Sequence, residues 1–206
     1  MAFQVLEIDP ATDFEELIAC QWVSYENPLQ PFFRAATLEN GVEEYTQRQK
    51  SSFKLDPSQR WLKVVNSEGN IIGGALWKVY TANPFENSTK FEAVWYPEGG
   101  QRDYFTALLR NIYSFREKAG RRPQLYLHAI FTHPDYRHRG IGDQLMHWGI
   151  EKANELGVEM WIGAASTKIQ NSTKTSLPPL SIGNLAAYDL QRDRVVERMW
   201  SIGIGI

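Results

Sequence analysis

An α/β fold, a mixed central β-sheet flanked by helices, is what this chain of 206 residues predicts. Residues 61–65 and 71–80 are apolar, strand-like runs on either side of Asn66-Ser67-Glu68-Gly69-Asn70, a hairpin signal with glycine where a positive φ is needed. Residues 125–132 and 158–162 are apolar runs of strand length separated by an amphipathic helical pattern, and strand-helix-strand order implies a right-handed parallel crossover. With 43% hydrophobic and 22% charged residues, the composition is that of an ordinary globular protein with one substantial core. A single domain over residues 1–206 is expected, its best-supported part being 61–162.

In chain order, residues 3–8 alternate well enough for a first strand, and Asp9-Pro10-Ala11-Thr12 turns it. Thr12 followed by Glu15 matches a capping box for a helix through about Tyr25, which Asn27-Pro28 stops. Cys20 falls among Leu17, Ile18 and Trp22 in that helix, so it reads as a buried, inert thiol. Being the sole cysteine, it excludes an intrachain disulfide and fits a reducing compartment. Residues 29–34 are aromatic and proline-interrupted, which suits a loop laid across a groove, and 41–55 reads as a second helix. In the second hairpin arm, Gly73-Gly74 signals a bulge or a close backbone approach. Residues 83–88 break the sheet, 92–96 read as a short extended segment, and Pro97-Glu98-Gly99-Gly100 ends it. Phe105, Leu108, Leu109, Ile112 and Phe115 recur at helical spacing over residues 103–118, predicting a helix packed on the sheet. The helix after residue 140 runs to about Leu156 and Gly157 caps it. Beyond Gly163, residues 165–181 are Ser/Thr/Lys-rich with Pro178-Pro179 and read as a long loop, 185–190 as a short helix, and 195–202 as a last strand.

The chemistry concentrates where the strand 125–132 meets the next helix. Pro134 ends the strand by removing a ladder donor, and Asp135 can fold back on the turn. Arg137-His138-Arg139-Gly140-Ile141-Gly142 then leads directly into the helix. The first N–H groups of a helix have no intrahelical partner and the macrodipole is positive there, so phosphate oxygens bind if nothing bulky intervenes. Gly140 and Gly142 clear the approach, while Arg137 and Arg139 add charge and bidentate donors suited to a pyrophosphate. A bare R-x-x-G-x-G is weak evidence; its place after a strand and before a helix strengthens it.

Arg137 to Gly142 resembles the acyl-CoA pyrophosphate loop, Q/R-x-x-G-x-G/A, of the GNAT superfamily of N-acetyltransferases, and Thr132-His133-Pro134-Asp135-Tyr136-Arg137 matches the way that strand usually ends. The match extends less specifically over residues 61–162, and residues 92–102 look like a segment of fungal members. The resemblance implies the GNAT fold, acetyl-CoA as co-substrate, no metal, and direct acetyl transfer to a primary amine without a covalent enzyme intermediate. It implies a central strand that splays from its neighbour and frees N–H groups around Ile130, Phe131 and Thr132 for the pantetheine and thioester carbonyl. The pyrophosphate would take Arg137, His138, Arg139, Gly140, Ile141 and Gly142. Such donors stabilise a developing oxyanion by roughly 3–4 kcal/mol each. The helical region between the first two strands would wall the acceptor site. Family members usually carry N-x-x-A-x-x-x-Y-x-x-x-G-F near the C-terminus; here Asn184, Ala187 and Tyr188 are compressed, with Gln191-Arg192 where Gly-Phe would fall. Residues 163–206 are therefore atypical, and a non-catalytic acyl-CoA-binding domain is the alternative to an enzyme.

An amine with a pKa of about 10.4 is mostly protonated near neutrality, so transfer needs a base. Strand alternation puts Tyr126, His128 and Ile130 on one face, the face on which the family places a carboxylate base. No Asp or Glu occurs over residues 124–132, and His128, with a histidine's ordinary pKa of about 6.5, is the candidate. The competing reading is a buried histidine satisfied by hydrogen bonds. His133 reads as a turn residue, His138 as part of the phosphate loop and His147 as surface, and no cluster has metal-ligand spacing. Tyr188 is the family-consistent general acid or else a packing tyrosine.

A net charge of −2 argues against a nucleic-acid binder, and the absence of G-x-x-x-x-G-K-[ST] argues against a P-loop NTPase. A small-molecule or peptide amine is the expected acceptor. No early run resembles a signal peptide and no apolar stretch is long enough to span a bilayer, so a cytoplasmic protein is expected, the nucleus being open.

Overall fold

The computed structural model describes residues 3–26, 41–86, 92–164, 184–189 and 194–196. Within them the strands β1 (Gln4–Glu7), β2 (Gln59–Val65), β3 (Ile71–Tyr80), β4 (Gln124–Thr132), β5 (Glu159–Ala164), β6 (Asn184–Asp189) and β7 (Arg194–Val196) form one seven-stranded sheet in sequence order. Only β4 and β5 pair in parallel, and all other neighbours are antiparallel, so the sheet is mixed. The helices are α1 (Phe14–Glu26), α2 (Val42–Leu55), α3 (Gly100–Ala119) and α4 (Ile141–Leu156). Helix α4 is the crossover between the parallel strands. No described helix is long and apolar enough to cross a membrane.

Each face of the sheet carries its own core. On one face Leu62, Val64, Trp77, Leu125 and Leu127 pack with Ile141, Leu145 and Ala153 of α4. On the other, Trp61, Leu76 and Phe131 pack with Phe14, Leu17 and Ile18 of α1 and Tyr45 of α2. The spacing of Phe14, Leu17, Ile18, Gln21 and Ser24 gives α1 a buried stripe along one side, the amphipathic pattern that seats a helix on a sheet. Each large apolar side chain fully removed from water contributes about 1.5–3 kcal/mol, so the two clusters dominate folding.

Glycines set how closely the layers approach. A Cβ on Gly149 would overlap the Trp77 ring, with Cε2 at 2.9 Å, so α4 lies against the sheet only because that position has no side chain. A Cβ on Gly73 would come within 2.9 Å of Ile141 Cγ2, and one on Gly74 within 2.8 Å of Leu17 Cδ1 on the opposite side. The close approach expected of this pair occurs, while the β2–β3 register shifts just before it, Val64 pairing with Gly73 and Val65 with Ile71, so that Ile72 is the extra residue. The hairpin turn is organised by Asn66, whose Oδ1 accepts from the N–H groups of Glu68 and Asn70, with Gly69 at φ 89°.

Several expectations need correcting. The Thr12–Glu15 capping box does not form: Asp13 Oδ2 accepts from Asp9 N–H at 2.6 Å, Thr12 Oγ1 lies 3.3 Å from Asp13 Oδ1, and Glu15 pairs with Lys50 of α2. Residues 92–96 are a turn, not an extended segment, closed by Tyr96 N–H to Ala93 O at 3.0 Å. Phe105 of α3 stacks on Tyr96, 4.5 Å between ring centroids, and Ala93 N–H donates to Thr106 Oγ1, so these α3 side chains meet that turn rather than the sheet; Leu108, Ile112 and Phe115 lie outside the described side chains. The helix expected over 185–190 is strand β6, because pairing with β5 on one side and β7 on the other overrides the local pattern. The expected loops at 29–34 and 165–181 lie outside the described residues, as does the last strand beyond Val196.

Candidate functional site

The site begins at an irregularity in β4. Its register against β3 shifts between Leu76 and Trp77, which pair with Ala129 and Leu127, so His128 is the extra residue of a β-bulge. A bulge resets the alternation of side chains. Leu125 and Leu127 face the α4 side, and beyond the bulge Ile130 does so too, while Ala129 and Phe131 face α1. Tyr126, His128 and Ile130 therefore do not share one face, contrary to simple alternation. Nor is His128 buried: it is exposed at the bulge, its ring 6.1 Å from the Tyr126 ring in edge-to-face contact.

Past the same point the parallel neighbour leaves. The β4–β5 ladder runs from Gln124–Glu159 to Leu127–Ile162 and stops, while β5 continues beside β6 through Ala164. Beyond Leu127 the two strands form a fork. Which backbone groups face it follows from the β3 ladder: His133 N–H donates to Ile72 O at 2.9 Å, and Phe131 stands opposite Gly74. Alternation along an antiparallel pair then turns the amide groups of Phe131 towards β3 and those of Ile130 and Thr132 into the fork. Of the three residues expected to meet a cofactor through their backbone, Ile130 and Thr132 turn theirs into the fork. Phe131 gives its backbone to β3 and its ring to the core.

At the head of the fork, Pro134–Tyr136 form a single 3-10 turn, capped by His133 Nδ1, which accepts from Asp135 N–H at 3.3 Å. His133 is thus the turn residue the sequence suggested. His138 follows at φ 59°, a left-handed conformation uncommon outside glycine, and Gly140 at φ 79° caps α4. No side chain caps this helix start, and a Cβ at Gly140 or Gly142 would meet nothing within 4 Å. The first N–H groups of α4 are therefore approachable by an anion along the helix axis. Ile141 offers its backbone there, while its side chain is buried against Gly73. Asp143 in the first turn adds a negative charge that favours the helix but opposes an anion.

The two arginines have internal work. Arg137 Nη2 donates to Ser24 O in the last turn of α1 at 2.7 Å, and Arg139 Nη2 donates to Asp135 O at 2.9 Å while its guanidinium lies 5.1 Å over the Tyr136 ring. Each guanidinium has five N–H donors, so neither contact exhausts its capacity for phosphate.

The last turn of α1 holds residues that sequence reasoning did not single out. The Tyr25 hydroxyl donates to Ile130 O at 2.9 Å and its ring meets Phe131 edge-on at 6.3 Å. Gln21, 2% exposed, lies beside the phenols of both Tyr25 and Tyr45. Burial pushes the Tyr25 phenol up to about 12, so it stays a protonated donor throughout the physiological range. The available signal was an aromatic residue at a helix end just before Asn27-Pro28, too common a pattern to mark a site.

Other candidates fall away from the fork. Tyr188 on β6 stands opposite Met160, which pairs with Leu125, so it lies back from the point where β4 and β5 part. His147 is exposed, 3.2 Å from Glu151. Cys20 is buried, and its thiol is raised to about 12 by burial, which makes it inert. Among the described residues no group of three or more His, Cys, Asp and Glu could hold a metal ion.

The comparisons with known proteins bear on this arrangement. The model of a family described as Acetyltransferase (GNAT) family matches residues 21–172, most of the chain including β4, the loop and α4. Among solved structures, the Drosophila melanogaster polyamine N-acetyltransferase is similar at 18% identity and a TM-score of 0.59, over 82% of this chain and 79% of that one. A variant of an agmatine N-acetyltransferase in its apo form is similar at 18% identity and a TM-score of 0.58, over 87% and 85%. A Corynebacterium glutamicum structure described as histone acetyltransferase HPA2 and related acetyltransferase is similar at 18% identity and a TM-score of 0.50, over 91% and 95%. At such identity these likenesses establish the fold alone. No curated protein matches the sequence.

Proposed function

We propose that this chain, which belongs to the acetyltransferase (GNAT) family, transfers the acetyl group of acetyl-CoA directly to the primary amine of a small molecule. The observation that carries the reading is the juxtaposition of an open β4 edge with an uncapped helix start at its head. Acetyl-CoA supplies an activated thioester; the chain supplies position and proton transfer. The N–H groups of Ile141 and Gly142 would receive the pyrophosphate, with Arg137, His138 and Arg139 adding charge around it. Backbone N–H groups of Ile130 and Thr132 in the fork would hold the pantetheine and the thioester carbonyl, where preorganised donors act without reorganisation cost. His128, exposed at the bulge beside this edge, would accept the amine proton. No role is assigned to Tyr188, which lies back from the fork.

Small amines are the acceptor class because the net charge of −2 provides no strong docking surface for a basic protein tail. Two of the similar structures are named for polyamine and agmatine acetylation, which is consistent with that choice.

Calorimetric titration of acetyl-CoA into the wild type and Gly140→Glu tests the cofactor half. The carboxylate should occlude and repel the phosphates, weakening binding at least about tenfold, or ~1.4 kcal/mol; equal affinity would sink the assignment. Thiol release across a panel of amines tests the transfer half, and tight binding with no turnover on any amine would replace the enzyme with an acyl-CoA-binding module.

A further inference from the structure

A carbonyl that a departing strand leaves behind must find another donor or stay unsatisfied. Ile130 O is such a group: the β3 ladder turns it into the fork, and β5 has already separated. Tyr25 supplies the donor at 2.9 Å from the last turn of α1. The phenol is buried beside the Gln21 amide and the Tyr45 phenol. A second link from the same helix turn, Ser24 O to Arg137, anchors the phosphate loop at 2.7 Å. The end of α1 thus touches both halves of the cofactor site.

We infer that Tyr25 is a positioning residue for acyl transfer: by donating to Ile130 O it fixes the fork edge of β4, where the Ile130 N–H and the backbone groups of Thr132 remain usable, and so fixes where the pantetheine arm lies along it. With one lone pair of Ile130 O held by Tyr25, pairing of the arm's amide N–H there in a shifted register gains less than a free carbonyl would offer. The inference rests on the proposed acetyl-CoA site and goes beyond it in assigning arm placement to a side chain of α1.

The test compares two ligands in the full chain: acetyl-CoA, and the nucleotide half of coenzyme A without its pantetheine arm. Each is titrated by calorimetry into wild type, Tyr25→Phe and Gln21→Met. Tyr25→Phe keeps the ring on Phe131 and removes only the hydroxyl. Acetyl-CoA should bind it about 5- to 10-fold more weakly, the nucleotide half within about twofold of wild type, with thermal melting nearly unchanged. Gln21→Met, which leaves Tyr25 in place, should move the same selectivity by less. Equal affinities for acetyl-CoA in wild type and Tyr25→Phe overturn the inference while the cofactor site stands. Parallel losses for both ligands together with a lowered melting temperature overturn it in favour of a purely structural tyrosine. Failure of wild type to bind acetyl-CoA at all overturns it along with the proposed function.

Discussion

From Gln124 to Leu127, β4 has a strand on each side and every residue is buried; from His128 to Thr132 it keeps β3 alone, and only Phe131 is buried. The first half has its backbone satisfied within the sheet, and Leu125 and Leu127 join the cluster under α4. The second half exposes backbone groups that a sheet would normally consume. The difference lies in one inserted residue, His128, and in the departure of β5, not in a change of composition. The closed half pins the strand so that the open half can hold unsatisfied donors in fixed directions. Preorganised donors of this kind are what acyl transfer needs, because they meet developing charge without rearranging.

The division of labour can be broken from either end. The largest effect is expected at the bulge: His128→Ala should lower kcat/KM for amine acetylation by about 10² to 10⁴, the usual worth of a positioned base, with acetyl-CoA affinity unchanged. The loss should shrink at high pH, where free amine is abundant. A steady-state pH–rate series decides it, and an unaltered acidic limb in the variant would remove His128 from the mechanism.

At the closed half the expected damage is to folding instead. Gly149→Ala would ordinarily favour a helix by about 1 kcal/mol. Here the new methyl group meets the buried Trp77 ring, and overpacking of about 2–3 kcal/mol should win by about 1–2 kcal/mol, lowering the melting temperature by roughly 2–8 °C. An unchanged melting temperature would mean that α4 is not seated on Trp77 as described.

The smallest effect sharpens the contrast. Burial of the Asp56 carboxyl opposes ionisation, but hydrogen bonds from Ser58 and the charge of Lys78, 3.0 Å away, outweigh it and hold the group below the usual carboxylate range. Lys78 pairs with Tyr126, so this contact braces the closed half. A native pKa below the unfolded value of about 3.9 contributes stability that is complete above that pH and is lost as pH falls through the native value. Asp56→Asn should therefore lower stability slightly at neutral pH and flatten the acid limb of the stability profile below about pH 4. Acetyl-CoA affinity should not change. Denaturant melts across pH check the first expectation, and a weakened cofactor would show that the two halves are not separable.

Much of this was legible along the chain. Apolar runs of strand length, the Asn66–Asn70 turn, the amphipathic pattern after Gly140 and the Gly157 cap are local signals, and each forms where the sequence placed it because neighbouring residues suffice to decide it. The uncapped start of α4 is local in the same sense, since Gly140 and Gly142 act through the side chains they lack. Tertiary structure decided the rest. The bulge at His128 exists only relative to the β3 register, so alternation read from β4 alone put Ile130 on the wrong face. Residues 184–189 became a strand because β5 and β7 offered ladders that a local helical pattern could not outbid. Tyr25 lies 105 positions from Ile130 in sequence and meets it only because α1 packs across β4. Local chemistry determined the elements and the phosphate-binding turn; long-range pairing and packing determined which backbone groups stay open, because an unsatisfied donor is defined by the partner that is not there.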